Sequence, residues 1–489
     1  MRLICPEPRL DCLPIPAVKL NLNCRDEIIP ILRALQHVYE VPPTRREILN
    51  LVGQDVNQDT SRRHGRRGLN YWEITVLAAV RLGCNLDFDK LQDLAENHKS
   101  LQRIMGLGDW EKDKVDFDWK RIESNVGKLQ PETIKKINAL IVRAGHVLEP
   151  EAVASVRGDT FVVETNIHYP TESRLIGDGL RKIVPLAARL AAEHGLPGWR
   201  QHQHWLKKIK KVLRLINRAS QAKGQDGPAR VRAGYQELLP LAAEILERGR
   251  ELVAILQAPA KVSVLQPAGA VEELLRYLDM TAQVCDTARR RVLDGETVPN
   301  EDKIFSIFEP HTELIKRGKQ PVPIQYGHNV LVIEDAAGFI IDYRVVEKGV
   351  LDQDLVVPVM KALQKRFGGK IQRASFDRAF HTPENQKELA KIVATPCIAS
   401  KGQDKGRQQQ KEGTVAFRQA RQHHPGVESA IGALQAGNGQ KRCRDRGKRG
   451  YDRYVGLGVL GRNLHTLGKL LLAQDQADCQ AAQSKRKPA

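Results

Sequence analysis

Apolar residues recur at helical spacing over residues 27–39, 45–52, 72–82 and 88–97, with breakers between them, so residues 1–110 predict a set of short helices. The same period returns from 175 to about 294, where Leu238, Ala242, Ile245, Leu246, Val253 and Leu256 line one face of a helix. GQDGPAR, 224–230, predicts a turn between two of these helices. Strand-like patterning appears on either side of this block. In SVRGDTFVVETNIHYPTES, 155–173, the β-formers Phe161, Val162 and Val163 predict a short buried strand with Asp159 at one end. GHNVLVIEDAAGFIIDYRVVEKG, 327–349, holds two Val- and Ile-rich runs around Asp-Ala-Ala-Gly and predicts a β-hairpin. A helical stretch over 354–367, the run IQRASFD ending in Asp377, a helix from Pro383 and the short strand KIVATP follow. This order predicts an α/β architecture, a mixed sheet covered by helices.

Composition narrows the partners. With 77 Lys+Arg against 58 Asp+Glu, the 489-residue chain carries a formal charge of +19, which points to a polyanion; nucleic acid leads and an anionic membrane surface comes second. No window approaches the roughly 18 apolar residues of a membrane span, and residues 1–20 carry Pro and charge where a signal peptide needs an apolar run. A soluble, cytoplasmic and nucleoid-associated protein is the expectation. The eight cysteines form no CxxC pair, which suits reduced thiols. The basic linker SRRHGRRG offers Arg62, Arg63, Arg66 and Arg67 to DNA phosphates and makes residues 1–110 a candidate DNA-binding head; a solvated helical domain with a charged loop is the plain alternative.

A carboxylate at the end of a buried strand needs solvent, a partner or a metal. Asp159 is one, Asp377 occupies a similar strand end, and Glu428 opens a helical pattern in HHPGVESAIGALQ. Such residues can converge from two strand ends and a helix, and like charges so gathered need cations. Two Mg²⁺ ions roughly 3.5–4 Å apart, with Mn²⁺ as a substitute, would balance them and drive phosphodiester chemistry. Spacing alone is a modest signal among 58 acidic residues. Glu164 alternates to the face opposite Asp159, while Asp335, Asp342, Asp352 and Asp354 read as solvent-facing turn or loop residues. Asn166, His168 and Tyr169 suit either DNA or a strand-ending turn. His381, His423 and His424 lie close to the acidic motifs, as positioning groups as readily as proton carriers. No Ser-His-Asp set and no nucleotide-binding Gly loop is present.

Three ordered motifs carry a family likeness. GDTFVVETNIHYPTES, FDRAFHTPEN and RQHHPGVESAIGALQ, followed by RCRDRGKRGYDRYVGLGVLGRNLHTLGKLL, resemble the bacterial insertion-sequence transposases that use an Asp-Asp-Glu triad, nearest the ISNCY group. The resemblance spans 156–472. It implies a ribonuclease-H-like catalytic domain over 155–472 with a helical insertion at 175–294, preceded by the all-α head at 1–110 and linker helices at 111–154. A basic disordered tail at 473–489 completes the expected organisation. It further implies Asp159, Asp377 and Glu428 as catalytic metal ligands, terminal inverted repeats and target DNA as partners, and a homo-oligomer, a dimer, on DNA. Related transposases place a Lys seven residues after the Glu; Gln435 stands there. Arg421 suits the accompanying Arg role, and Lys441, Arg442 or Arg444 is expected to supply the missing cation. A nuclease of the same fold without strand transfer, or a DNA-binding repressor with relict carboxylates, are the alternatives.

Overall fold

The computed structural model describes residues 2–6, 10, 12–57, 68–108, 117–222, 226–258, 268–316, 323–400 and 414–484. The chain opens with helices α1 (Ile28–Glu40), α2 (Pro42–Val56), α3 (Tyr71–Gly83), α4 (Phe88–Asn97), α5 (Lys99–Ile104), α6 (Trp119–Val126) and α7 (Pro131–Leu148). Proline in the first turn starts α2 and α7, where its missing N–H costs no intrahelical bond. A capping box starts α3: Glu73 N donates to Asn70 Oδ1 at 2.7 Å, and Asn70 N donates to Glu73 Oε2 at 2.8 Å. Every residue of α3 is buried, as a helix apolar on nearly all sides requires.

Strand β1 (Ser155–Glu164) follows, then helices α8 (Glu172–Glu193), α9 (His202–Gln221), α10 (Gly227–Gln257) and α11 (Ala268–Ala288) and the short strand β2 (Glu313–Lys316). Next come β3 (Ile324–Asp335), β4 (Ile340–Val345), α12 (Asp352–Arg366), β5 (Arg373–Phe376), α13 (Pro383–Ile392) and β6 (Thr395–Ile398). Helices α14 (Val415–His423), α15 (Gly426–Gly437) and α16 (Gly447–Ser484) end the described chain. The protein is thus mixed α/β, and the predicted hairpin is β3–β4.

Two compact units divide the chain. Residues 1–166 and 327–489 form the first, and residues 167–326 form the second. In the first unit β1 pairs antiparallel with β3 and parallel with β5, β3 pairs antiparallel with β4, and β5 pairs parallel with β6. The sheet is mixed and open, with six strands in the order β2-β3-β1-β5-β6 and β4 also paired with β3. The helices α1–α7, read from the sequence as head and linker, share one apolar core with this sheet and with α16. Helix α16 packs along α1, α3 and α7. At its crossing with α3, a Cβ on Gly461 would fall 2.6 Å from the Gly83 Cα, so the two backbones meet at glycine. Among the described residues no helix is long and apolar enough to cross a membrane.

The second unit has its own core, in which Trp199, Trp205 and the predicted α10 stripe are buried.

Two expectations need correction. The segment from 473 continues α16 to Ser484 rather than forming a disordered tail. After Gly468 it holds no Gly or Pro before Pro488, and its Ala- and Gln-rich sequence favours helix. It is also anchored: Asp475 accepts from Arg33 Nε at 2.7 Å and from Arg33 Nη2 at 3.1 Å. Asp335 and Asp342 are buried, not solvent-facing. Asp335 Oδ1 accepts from the N–H groups of Ala337 and Phe339, closing the β3–β4 turn, while its Oδ2 lies 2.7 Å from His146 Nε2. Asp342 pairs with Lys135 at 3.3 Å and with Arg344 at 3.1 Å. Asp335 thus serves its turn as a buried acceptor, whereas Asp342 lies within strand β4 and is held there by its two cations.

Candidate functional site

The parallel register of β1 and β5 sets Arg157 opposite Ser375 and Gly158 opposite Phe376. The next residues along the two strands are Asp159 and Asp377. Asp377 keeps an extended backbone, φ −71° and ψ 167°, so strand geometry runs one residue past β5. Neighbouring strands lie about 4.7–4.9 Å apart, and paired positions share a sheet face. The register, continued by one step, therefore brings Asp159 and Asp377 side by side on the face that carries Arg157 and Ser375. Both carboxylates are half-buried. Asp159 Oδ1 accepts from Thr160 N at 2.7 Å.

The joint between α14 and α15 covers this face. Ser375 Oγ lies 3.2 Å from His424 Nδ1, and Arg157 Nη1 donates to the His423 carbonyl at 3.0 Å. A Cβ on Gly426 would sit 2.0 Å from Arg157 Nη1, so glycine is what lets the guanidinium lie under the start of α15. Arg157 Nε also donates to Glu334 Oε2, its cross-strand neighbour, at 2.5 Å. Burial pushes the Glu334 carboxyl above its ordinary range, and the Arg157 bond opposes that without cancelling it.

His424 is the buried centre of the cover. Burial, then the Arg421 charge, lower its imidazole below the usual histidine value; Asp377 and Glu428 pull it up and Arg157 pushes it down. Four charged groups thus act on one ring that stays neutral at pH 7. Val427, Ala430 and Leu434 bury the inner side of α15, which packs on β1. Glu428, in the first turn of α15, remains exposed. Arg421 Nη1 is buried and has no hydrogen-bond partner among the described residues. An orphaned guanidinium donor beside the acidic positions is suited to an incoming anion.

The carboxylate oxygens are the donor type that Mg²⁺ prefers, and Asp159 and Asp377 fit as a pair from neighbouring strands. Glu428 reaches the same surroundings through α15. Among the described residues, however, no group of three or more His, Cys, Asp or Glu side chains is gathered closely enough to hold a metal ion.

The other basic positions are placed differently. Lys441 is exposed, and its carbonyl accepts from Glu164 N at 3.1 Å. Arg442 pairs with Glu164 at 3.3 Å. Arg444 turns toward the loop before α4, bonding Asp87 at 2.6 Å and the Tyr454 hydroxyl at 3.0 Å. Gln435 is half-buried on α15. Arg62, Arg63, Arg66 and Arg67 lie outside the described residues. Arg157, Ser375 and Glu334 were not singled out by sequence reasoning. Period-two alternation around Asp159 was the available signal for Arg157, since a charge two positions away on a strand shares its face. Compared with protein-family models, curated proteins and solved structures, the chain gives no match.

Proposed function

We propose that the protein is a DNA transposase of the Asp-Asp-Glu type, cutting at the ends of its element and joining the freed 3′-hydroxyl to target DNA. The observation that carries this reading is the register of β1 and β5, which makes Asp159 and Asp377 neighbours on one sheet face. A three-stranded antiparallel half, β4-β3-β1, continued by the parallel strands β5 and β6, is the arrangement expected of a ribonuclease-H-like sheet. The charge of +19 favours a DNA partner.

In this reading Asp159 and Asp377 would hold divalent metal ions, Mg²⁺ or Mn²⁺, and Glu428, which is not gathered with them among the described residues, would be their third ligand. When bound, such ions activate a water or a 3′-hydroxyl and stabilise the leaving oxygen of a phosphodiester. The chain's own residues position the substrate. Arg421, whose buried Nη1 has no partner among the described residues, would offer its guanidinium to a phosphate oxygen. Arg157 ties the 423–426 backbone to the sheet, and neutral His424 fixes Ser375 beneath it. Arg421 is then the cation of the site, because among the described residues Arg157, Arg442 and Arg444 are already paired with Glu334, Glu164 and Asp87.

Linear DNA bearing the inverted repeats that flank the coding region, incubated with the protein and Mg²⁺, tests the proposal. The expected result is 3′-end cleavage followed by joined products with a target duplex. Cleavage without joining would reduce the activity to that of a nuclease, and binding without cleavage would leave a repressor.

A further inference from the structure

The second unit holds a cavity of about 650 Å³ between α8 and α9, within the roughly 300–1,000 Å³ of small-molecule sites. Helical spacing builds its walls. Arg174, Asp178 and Arg181 stand at i, i+4 and i+7 on α8, and Lys210, Arg214 and Asn217 stand at the same spacing on α9. Seven residues of helix rise about 10 Å, so each wall carries a polar row of that length. The apolar part is supplied by Leu206, Ile209 and Leu213. A Cβ on Gly177 would lie 2.4 Å from Leu213 Cδ1, so the glycine lets Leu213 rest against the α8 backbone and sets the separation of the walls.

The charges are unequal in their commitments. Asp178 is buried and already satisfied, with His168 Nε2 at 2.6 Å and an ion pair to Arg181. Arg174, Lys210 and Arg214 are exposed and make no hydrogen bond or ion pair among the described residues. Cations on a helix surface are ordinary; these three converge on one cavity from two helices, above an apolar surface. Lys208 and Lys211 lie on the same helix and do not line it. Guanidinium and ammonium groups above an apolar floor match a ligand with a flat apolar body and a phosphate.

We propose that this cavity binds a nucleotide, its base against Leu206 and Leu213 and its phosphate among Arg174, Lys210 and Arg214. The nucleotide is either free or part of a DNA single strand; the chemistry recognised is the same. This goes beyond the catalytic reading and is tested by binding, so it stands or fails separately from cleavage.

The test is calorimetric titration of the full chain at low salt with adenosine monophosphate and with a short single-stranded oligonucleotide. In K210E/R214E the affinity for the probe that binds is expected to fall at least about tenfold, and in K208E/K211E, which makes the same charge change outside the cavity, to stay within about twofold. R174Q provides a milder variant if the double substitution disturbs folding, with a loss of at least about threefold expected. Displacement of the monophosphate by the oligonucleotide, or binding of the oligonucleotide alone, assigns the site to a strand. Monophosphate binding without displacement assigns it to a free nucleotide. Equal losses in the two charge-matched variants, unchanged affinity in both K210E/R214E and R174Q, or no binding of either probe would overturn the proposal.

Discussion

Asp159→Asn and Asp377→Asn are each expected to lower DNA cleavage by about 10³-fold or more, the scale on which losing one electrostatic group from an active site is felt, while DNA affinity and the melting temperature stay near those of the parent. The amide keeps the size and one acceptor of the carboxylate, so Asp159→Asn can still accept the Thr160 N–H bond seen at 2.7 Å. What it removes is charge from a position one step beyond the last β1–β5 pair. Both side chains are only half-buried and neither fills the core, so folding has little to lose. Cleavage assays run beside filter binding separate the two effects. Activity within tenfold of the parent in either variant would remove that carboxylate from the site.

Asp445→Ala is expected to destabilise the first unit by about 3–5 kcal/mol, the range observed when one partner of a buried ion pair is removed. Arg81 on α3 is 2% exposed, and its Nη2 lies 2.6 Å from Asp445 Oδ1, itself in a side chain 6% exposed. The Arg81 guanidinium also stacks over Phe88 at 3.8 Å, and its Nε and Nη1 have no other hydrogen-bond partner among the described residues. Arg453 shares the same carboxylate at 3.2 Å. Losing Asp445 leaves the buried Arg81, and the half-buried Arg453 that shares the carboxylate, without this counter-ion. A urea midpoint followed by far-ultraviolet dichroism measures the cost. A shift below about 1 kcal/mol would mean that water reaches Arg81 and that the pair behaves as a surface bridge.

Arg81 and Asp445 also mark where reading the sequence stops. Elements with a clear period were legible: the α10 stripe, the β3–β4 hairpin around its Asp-Ala-Ala-Gly turn, and the helix over 88–97 are present as their spacing implies. The alternation that links Arg157 to Asp159 was equally local. The destination of a charge was not. Arg442 and Arg444 were expected among the candidates for the missing cation, yet they bond Glu164 and Asp87. Asp87 is 357 residues before Arg444, and no periodicity reaches across that separation. Asp335 gives the same lesson from the acidic side. Its turn was visible, but its partner His146 lies on α7, 189 residues away. The strand pair that sets Asp159 beside Asp377 joins segments more than two hundred positions apart, so the motifs supplied candidates and the β1–β5 register supplied their adjacency.

In the proposed function Asp159 and Asp377 form one metal-holding pair on the sheet face beneath α15. Diffraction from crystals soaked in Mn²⁺, with data collected at the manganese absorption edge, tests it most directly. An anomalous peak is expected about 2.0–2.4 Å from a carboxylate oxygen of each residue, lost in Asp159→Asn and Asp377→Asn. Density showing the two carboxylates on opposite faces of the sheet, or manganese bound elsewhere with none between them, would contradict it.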